Sequence, residues 1–160
     1  MIADQTHSGI AKCGLPPSER PSEPENNTDL VDCVQRLHEN DPTLKQININ
    51  NMKRLPIPDI QRMLNALRTN TELTKLSMAN VNLSDSALDP LLEMLQVNKT
   101  LKYLNLETNY LSGEFLAKLF QVLNVNQTVE EVHAVNQLHF VTTLCMDDIN
   151  AFVCYALYSS

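Results

Sequence analysis

The residues that could carry chemistry are few and lie far apart in the sequence. His38, His133 and His139 have no partner at the spacing of a metal site, so we interpret them as surface or boundary residues. The acidic pairs at 130–131 and 147–148 fit a solvated face better than an acid–base dyad. The chain has only three glycines and contains no G-x-S-x-G, H-E-x-x-H or phosphate-loop motif. The sequence therefore predicts no enzymatic activity, no metal and no cofactor.

The cysteines also form no pattern that would indicate a shared site. The chain has neither a C-x-x-C pair nor a framework spacing among Cys13, Cys33, Cys145 and Cys154. Reduced thiols of a cytoplasmic protein account for them. The opening MIADQTHSGI lacks the apolar core of a signal peptide, and no window holds 18 apolar residues. We therefore predict neither export nor a membrane span.

Composition sets apart the start of the chain and excludes two kinds of partner. Residues 1–25 hold four of the eight prolines and show no apolar periodicity, so we interpret them as a disordered lead. The net charge of −7 divides into −5 over residues 1–43 and −2 over residues 44–160. An acidic chain of this kind has no electrostatic attraction for nucleic acid or for an anionic membrane surface, and we predict neither as a partner.

A repeat supplies the elements that would position any binding residues. Four segments share apolar residues at offsets 0, 3 and 5: LKQININNM, LTKLSMANVNL, LKYLNLETNYL and VEEVHAVNQL. Their starts at positions 44, 73, 101 and 129 give an almost constant period of about 28 residues, which is typical of a leucine-rich repeat with its short strand and helix. A second series precedes them with nearly the same steps: Leu37/Asn40, Leu67/Asn70, Leu95/Asn98 and Leu123/Asn126. Two series with nearly the same period are not expected by chance.

The spacing within each repeat predicts which side chains are buried. Offsets 3 and 5 point to one face of a strand, and apolar residues at i, i+3, i+4 and i+7 give each helix a buried face. These helix residues are Ile60, Met63, Leu64 and Leu67, then Leu88, Leu91, Leu92 and Leu95, then Leu116, Leu119, Phe120 and Leu123. We predict an α/β leucine-rich repeat solenoid of about three and a half repeats of 28–29 residues over 26–137, with parallel strands inside and helices outside.

Helix ends and loops have their own signals. A helix near Thr28–Glu39 is predicted to cover the first strand, and Ser112 to cap a later helix. Prolines are predicted before or near first helical turns, where they are tolerated: Pro56, Pro58 and Pro90.

The asparagines divide into three groups. Asn109 stands at offset 8 of its repeat, where its amide can bond buried backbone groups of the loop. At offset 7 we expect deviating loops or outward amides, for Asn51, Asn80 and Asn136. Among the N-x-S/T sequons, Asn98 and Asn126 recur in phase with the repeat, which favours a structural role over glycosylation.

The last segment, 138–160, does not continue the repeat. An apolar face at helical spacing predicts a helix at 147–157 that closes the fourth repeat against Leu119, Phe120 and Leu123. Its members are Ile149, Phe152, Val153, Ala156 and Leu157. The alternative is an apolar tail that has no native place in the fold.

Binding is the default function of a solenoid because the strands form a broad concave surface. Strand offsets 2, 4 and 6 face that surface, and the strand-to-helix loops adjoin it. The candidate binding residues are Lys53, Arg54, Asn48, Lys75, Tyr103, Asn105, Glu107 and Tyr110. For Tyr110 an edge-packing role stays open, and for Lys53 and Arg54 a solvated loop pair.

Two longer stretches carry a family resemblance. ENDPTLKQININNMKRLPIPDIQRMLNALRTNTEL at 39–73 and LLEMLQVNKTLKYLNLETNYLSG at 91–113 resemble the leucine-rich repeat domain of the tropomodulin and leiomodin family. The resemblance covers about 26–137. It implies a cytoskeletal protein that caps the pointed ends of actin filaments, with actin as its partner. It also implies that basic and polar loop residues of the repeat domain meet actin, which is acidic.

The chain departs from the family plan on both sides of the repeats. The helices through which the family binds tropomyosin and a first actin subunit have no counterpart in residues 1–25, so we predict no tropomyosin binding. The resemblance ends near Gln137, before the further repeats and terminal helix of the family. We therefore expect actin binding through the repeat domain only. The alternatives are a generic protein-binding adaptor and a truncated fragment without capping activity.

Overall fold

A computed structural model of the chain describes residues 25–137 and contains four helix–strand pairs. The helices are α1 Leu30–His38, α2 Ile57–Leu67, α3 Asp85–Val97 and α4 Gly113–Asn126. The strands are β1 Gln46–Asn48, β2 Lys75–Ser77, β3 Tyr103–Asn105 and β4 Glu131–His133. Each strand begins at offset 2 from the repeat start that the sequence predicts, so the predicted register is confirmed.

The four strands form one parallel sheet in chain order, β1-β2-β3-β4. Ile47, Leu76, Leu104 and Val132 stand beside one another across it. They occupy offset 3 of their repeats and point to the helices, where the first three join a single apolar core and Val132 packs against it. The α/β leucine-rich repeat solenoid is therefore the observed fold.

The helices lie on the other side of that core, each packed against its neighbour in the chain. The predicted apolar faces are buried, apart from Leu92 and Leu123, which are half-buried. The first helix is shorter than the predicted Thr28–Glu39. It begins at Leu30, because Asp29 has an extended backbone and caps the helix by accepting hydrogen bonds from Val31 N and Asp32 N.

The helix termini confirm the predicted cap at Ser112 and contradict the predicted position of Pro90. Ser112 caps α4 as predicted, since its Oγ accepts from Phe115 N at 3.1 Å. The sequence predicts Pro90 near a first turn, but α3 begins at Asp85 and Pro90 lies inside the helix. Proline cannot donate to the carbonyl at position i−4, which belongs to Ser86. That carbonyl instead accepts from Gln61 Nε2 of α2 at 3.2 Å, so a neighbouring repeat replaces the missing bond.

Buried asparagines tie each helix end to the previous repeat. Asn98 is 3% exposed; its Nδ2 donates to Leu67 O at 2.8 Å and Asn70 O at 3.1 Å. Its Oδ1 accepts from Thr100 N at 3.0 Å and Leu101 N at 2.9 Å. Asn70 and Asn126 make equivalent bonds. The predicted structural role of Asn98 and Asn126 is confirmed, because their amides are engaged inside the protein.

The side chain of Asn109 holds two strand-to-helix loops together through hydrogen bonds. Asn109 is fully buried, donates to Met78 O and Leu106 O at 2.9 Å each, and accepts from Val81 N and Leu83 N at 3.1 Å each. The residues at offset 7 adopt left-handed backbone conformations in all four repeats: Asn51, Asn80, Thr108 and Asn136. Because the repeat that carries Asn109 shares this conformation, it does not mark the other three loops as deviating. Three of the four residues are asparagines. Asparagine tolerates this conformation better than most residues, so the chain needs no glycine there.

Side chains close the free edge of the sheet at β1. Asn26 Nδ2 donates to the carbonyls of Asn48 and Asn50 at 3.0 Å each, and Thr28 Oγ1 donates to Asn48 O at 2.8 Å. The residues before α1 therefore satisfy an edge that would otherwise offer unpaired acceptors.

Two predictions fall on other parts of the chain. The helix predicted at 147–157 lies outside the described residues, and so does all but the last residue of the lead at 1–25. No helix among residues 25–137 is long and apolar enough to cross a membrane.

The loop that leads into β1 gives a prediction for acid stability. Hydrogen bonds from the Thr43 hydroxyl and backbone N–H, together with the Arg36 guanidinium, lower the pKa of Asp41 to about 2. A carboxylate whose pKa falls on folding stabilises the protein above its unfolded pKa of about 3.9. That stabilisation is lost as the pH falls towards 2. The stability difference between the native protein and Asp41→Asn should therefore narrow between pH 4 and pH 2.

Urea unfolding at pH 5 and at pH 2.5 measures this difference. Asp89→Asn removes an equal charge from an exposed position of α3 and controls for net charge. If the Asp41→Asn difference were as large at pH 2.5 as at pH 5, the bonds at Asp41 would contribute nothing that depends on its charge.

Candidate functional site

The concave surface is formed by the strand residues that point away from the helices. Its members are Gln46, Asn48, Asn50, Lys75, Ser77, Ala79, Tyr103, Asn105, Glu107, Glu131, His133 and Val135. Except for Ala79, Tyr103 and Val135 they are polar or charged. A depression of about 200 Å³ lies across its first three strands. Four of the predicted binding residues line it together: Asn48, Lys75, Tyr103 and Asn105.

Tyr103 is the centre of a row of contacts that crosses three strands. Lys75 Nζ lies 4.2 Å from the centroid of its ring, within reach of a cation–π attraction. On the other side the imidazole of His133 lies 5.3 Å from the ring, centroid to centroid. His133 also contacts two carboxylates, with Nδ1 3.4 Å from Glu107 Oε1 and Nε2 2.6 Å from Glu131 Oε1. The row is therefore cationic at β2 and acidic at β3 and β4.

Amide and hydroxyl groups hold the backbone at the other end of the surface. Asn50 Oδ1 accepts from Ser77 Oγ and from Ala79 N, each at 2.8 Å. Asn48 Oδ1 accepts from Asn50 N at 2.9 Å. These bonds fix the side chains before any partner arrives, which lowers the conformational entropy that binding would cost.

The other predicted binding residues lie outside the depression or are mostly buried. Asn105 faces the surface but is only 7% exposed, and its Oδ1 accepts from Glu107 N at 2.9 Å. Lys53, Arg54 and Tyr110 lie in strand-to-helix loops and do not line the depression. Tyr110 is 38% exposed, and its backbone N–H donates to Leu83 O at 2.8 Å, so this residue ties two loops together.

The pairing of basic groups distinguishes this surface from the rest of the domain. Lys53, Arg54 and Lys75 form no ion pair with a carboxylate of the described residues. Lys99 donates to the carbonyl of Asn126 at 3.4 Å. The other arginines and lysines of 25–137 each pair with a carboxylate: Arg36, Lys45, Arg62, Arg68, Lys102 and Lys118. Within this part of the chain, four cations therefore lack a carboxylate partner, and three of them, Lys53, Arg54 and Lys75, are predicted binding residues.

Sequence reasoning missed two residues that matter here. The repeat register places His133 on the concave surface but gives no reason to select it, because its contact with Tyr103 comes from a different repeat. Gln137 occupies the position of Asn109 one period later, and its Nε2 donates to Leu106 O at 2.9 Å. The constant repeat spacing could have found it, since glutamine carries the same amide as asparagine.

The arrangement of side chains on the concave surface is suited to binding. In the described part of the chain, no three side chains of the metal-ligating types come together as a site. The free cations, the exposed carboxylates and the aromatic ring instead offer contacts to the surface of another macromolecule.

Fold and surface together define a domain of the leucine-rich repeat class. The family model for the TMOD/LMOD leucine-rich domain matches residues 26–154, and the chain belongs to the tropomodulin/leiomodin family. The match extends beyond Gln137, where the resemblance apparent from the sequence ends.

Relatives and solved structures agree with this assignment. The chain is 39% identical over 89 residues to tropomodulin from Caenorhabditis elegans, which covers 56% of this chain and 22% of that protein. It is 35% identical over 77 residues to leiomodin-3 from Mus musculus, which covers 48% of this chain and 13% of that protein. The chain therefore spans about a fifth, or less, of the length of these relatives.

Two solved domains have the same fold. The tropomodulin C-terminal domain from Caenorhabditis elegans superimposes with a TM-score of 0.69 and 38% identity, covering 71% of this chain and 68% of that chain. Actin-binding site 2 of leiomodin-1 superimposes with a TM-score of 0.68 and 28% identity, covering 74% of this chain and 68% of that chain.

Proposed function

We propose that this domain binds actin, and that it contributes to capping of the pointed ends of actin filaments through this one domain. The observation that carries the proposal is the superposition on actin-binding site 2 of leiomodin-1, with a TM-score of 0.68 over 74% of this chain. The solved domain is named for actin binding, and the two chains share the frame that would present such a site. The protein would accordingly act at the cytoskeleton in the cytoplasm.

The distribution of free charge supports a contact with an acidic partner. Lys53 and Arg54 are exposed in the loop after β1, and neither forms an ion pair within residues 25–137. Unpaired surface cations attract an acidic protein without first breaking an internal bond, so they raise the rate of association. Lys75 adds a cation, and Tyr103 adds an aromatic ring of a residue type that often contributes most at interfaces.

Charge reversal in the loop after β1 tests this proposal. The variant Lys53→Glu/Arg54→Glu is expected to bind actin filaments about thirtyfold more weakly, since two interface charges at about 1 kcal/mol each correspond to such a factor. Co-sedimentation with filaments measures binding, and elongation from pointed ends measures capping.

The matched control reverses charge on the helical side of the solenoid. Arg62 is exposed on α2, and within residues 25–137 its one ion pair is with Asp59 of the same helix, at 2.9 Å. Arg62→Glu should change actin affinity less than twofold. Equal losses in both variants would exclude the loop as the contact. Absence of binding by the native chain would favour an adaptor for another protein or a truncated fragment without capping activity.

A further inference from the structure

The concave surface carries opposite charges at two places, and the pairing of the strands fixes the distance between them. Lys75, Tyr103 and Glu131 stand beside one another on β2, β3 and β4. Neighbouring strands lie about 4.8 Å apart, so the backbones at Lys75 and Glu131 are about 10 Å apart, with the tyrosine between them. A cation and a carboxylate are therefore held on one face at a set spacing.

The cationic place is suited to a carboxylate. Lys75 is exposed and lines the depression of about 200 Å³ together with Asn48 and Asn50. The Oδ1 atoms of both asparagines accept internal hydrogen bonds, from Asn50 N at 2.9 Å and from Ser77 Oγ at 2.8 Å. The N–H donors of these amides are then the groups that remain for a ligand. N–H donors beside an ammonium group favour an anionic oxygen.

The acidic place is suited to a cation. Glu107 and Glu131 both contact the imidazole of His133, through Nδ1 at 3.4 Å and Nε2 at 2.6 Å respectively. One imidazole carries at most one positive charge, so these three side chains together stay net negative in either protonation state of the histidine. The side chains of Glu107 and Glu131 are 31% and 61% exposed, so a lysine or arginine of a partner can reach this charge.

The dimensions of the surface favour an extended peptide as the ligand. The depression is smaller than the pockets of about 300–1,000 Å³ that enclose small molecules, so it is suited to one side chain of a larger partner. An extended chain rises about 3.3 Å per residue, so three residues span the distance of about 10 Å between the two charged places.

We propose that the concave surface binds an extended peptide segment that crosses the strands. An aspartate or glutamate of the segment pairs with Lys75, and a lysine or arginine three positions away meets Glu107 and Glu131. An apolar residue between them packs on the half-buried ring of Tyr103. This partner is defined by its spacing of charges and not by actin, so the inference goes beyond the proposed function.

Two synthetic peptides of equal composition test the spacing. The first, Gly-Ser-Glu-Leu-Gly-Lys-Ser-Gly with blocked ends, has its charges three positions apart. The second, Gly-Ser-Glu-Lys-Leu-Gly-Ser-Gly, has them adjacent. Titration into the whole chain, followed by the chemical shifts of backbone amides, should move the signals of Lys75, Tyr103 and Glu131. The first peptide should bind at least about fivefold more tightly, because adjacent charges cannot reach both places and one ion contact is lost.

Reversing the charge at position 75 tests the contact with the carboxylate. Lys75→Glu should weaken the first peptide at least about tenfold, since an attraction becomes a repulsion. It should also strengthen a peptide with lysine in place of the glutamate, which an unfolded variant could not do. The control Lys118→Glu makes the same change on α4, where Lys118 pairs with Glu114, and should leave both titrations unchanged.

Three results would overturn the proposal: no shifts at millimolar peptide, equal affinity for the two peptides, or an unchanged titration in Lys75→Glu. The variant Lys53→Glu/Arg54→Glu should bind the first peptide within about twofold of the native chain, because the peptide has no net charge and does not contact the loop. Loss of peptide binding in that variant would assign the peptide to the loop and also contradict the proposal. Peptide binding that persists in a chain unable to bind actin would contradict the proposed function alone.

Discussion

Replacing Leu104 by alanine is expected to lower the free energy of unfolding by about 2–5 kcal/mol, the range for a buried leucine in a core that cannot collapse. Leu104 is fully buried in β3, between Leu76 of β2 and Val132 of β4. Repeats on both sides hold the strand in place, so the cavity should persist. Thermal or urea unfolding measures the loss.

Lys102→Ala is the control on the same segment. Lys102 pairs with Glu130 at 2.7 Å, and both side chains are exposed. An exposed ion pair contributes little, so this change should stay within about 0.5 kcal/mol. Equal unfolding curves for the two variants would show that the buried and exposed positions of this segment are wrongly assigned.

Replacing Asn109 by alanine is expected to cost about 3 kcal/mol or more, although it removes no apolar group. The amide satisfies Val81 N and Leu83 N, and each buried backbone donor left without a partner costs about 1–3 kcal/mol. Equilibrium unfolding in urea measures the difference.

Two further variants define this effect. Asn65→Ala makes the same chemical change at an exposed position of α2 and should stay within about 0.5 kcal/mol. Asn109→Gln should cost less than Asn109→Ala, because Gln137 fills the equivalent position with a longer amide. A cost for Asn109→Ala no greater than that for Asn65→Ala would mean that solvent replaces the lost acceptor.

Period and burial were accessible from the sequence because they depend on residues within one repeat. Leu76 and Leu104 at offset 3 could be assigned to the core from apolar spacing alone. The cap at Ser112 was equally local. Each of these predictions required only the geometry of a single strand or helix.

Contacts between repeats were harder to predict. Pro90 lies inside α3, and Gln61 of the preceding helix bonds the carbonyl that proline leaves free. His133 reaches Tyr103 only because β3 and β4 are in register. The burial of Asn105 likewise depends on neighbouring strands. These contacts depend on how neighbouring repeats lie against each other in space. The residue pattern along a single repeat does not contain that information.

The pairing of the parallel strands fixes where insertions and deletions can occur in this domain. Gln46 stands beside Lys75 and Lys75 beside Tyr103, so the first repeat is longer than the second by a single position. The additional position falls between the start of β1 at Gln46 and the start of α2 at Ile57, since the matching interval in the next repeat runs only from Lys75 to Asp85. The sheet keeps its register despite this difference, because the loop absorbs the extra length. The same loop carries the cations at 53 and 54, so an insertion there could move both, and with them partner preference, while every strand stays in place.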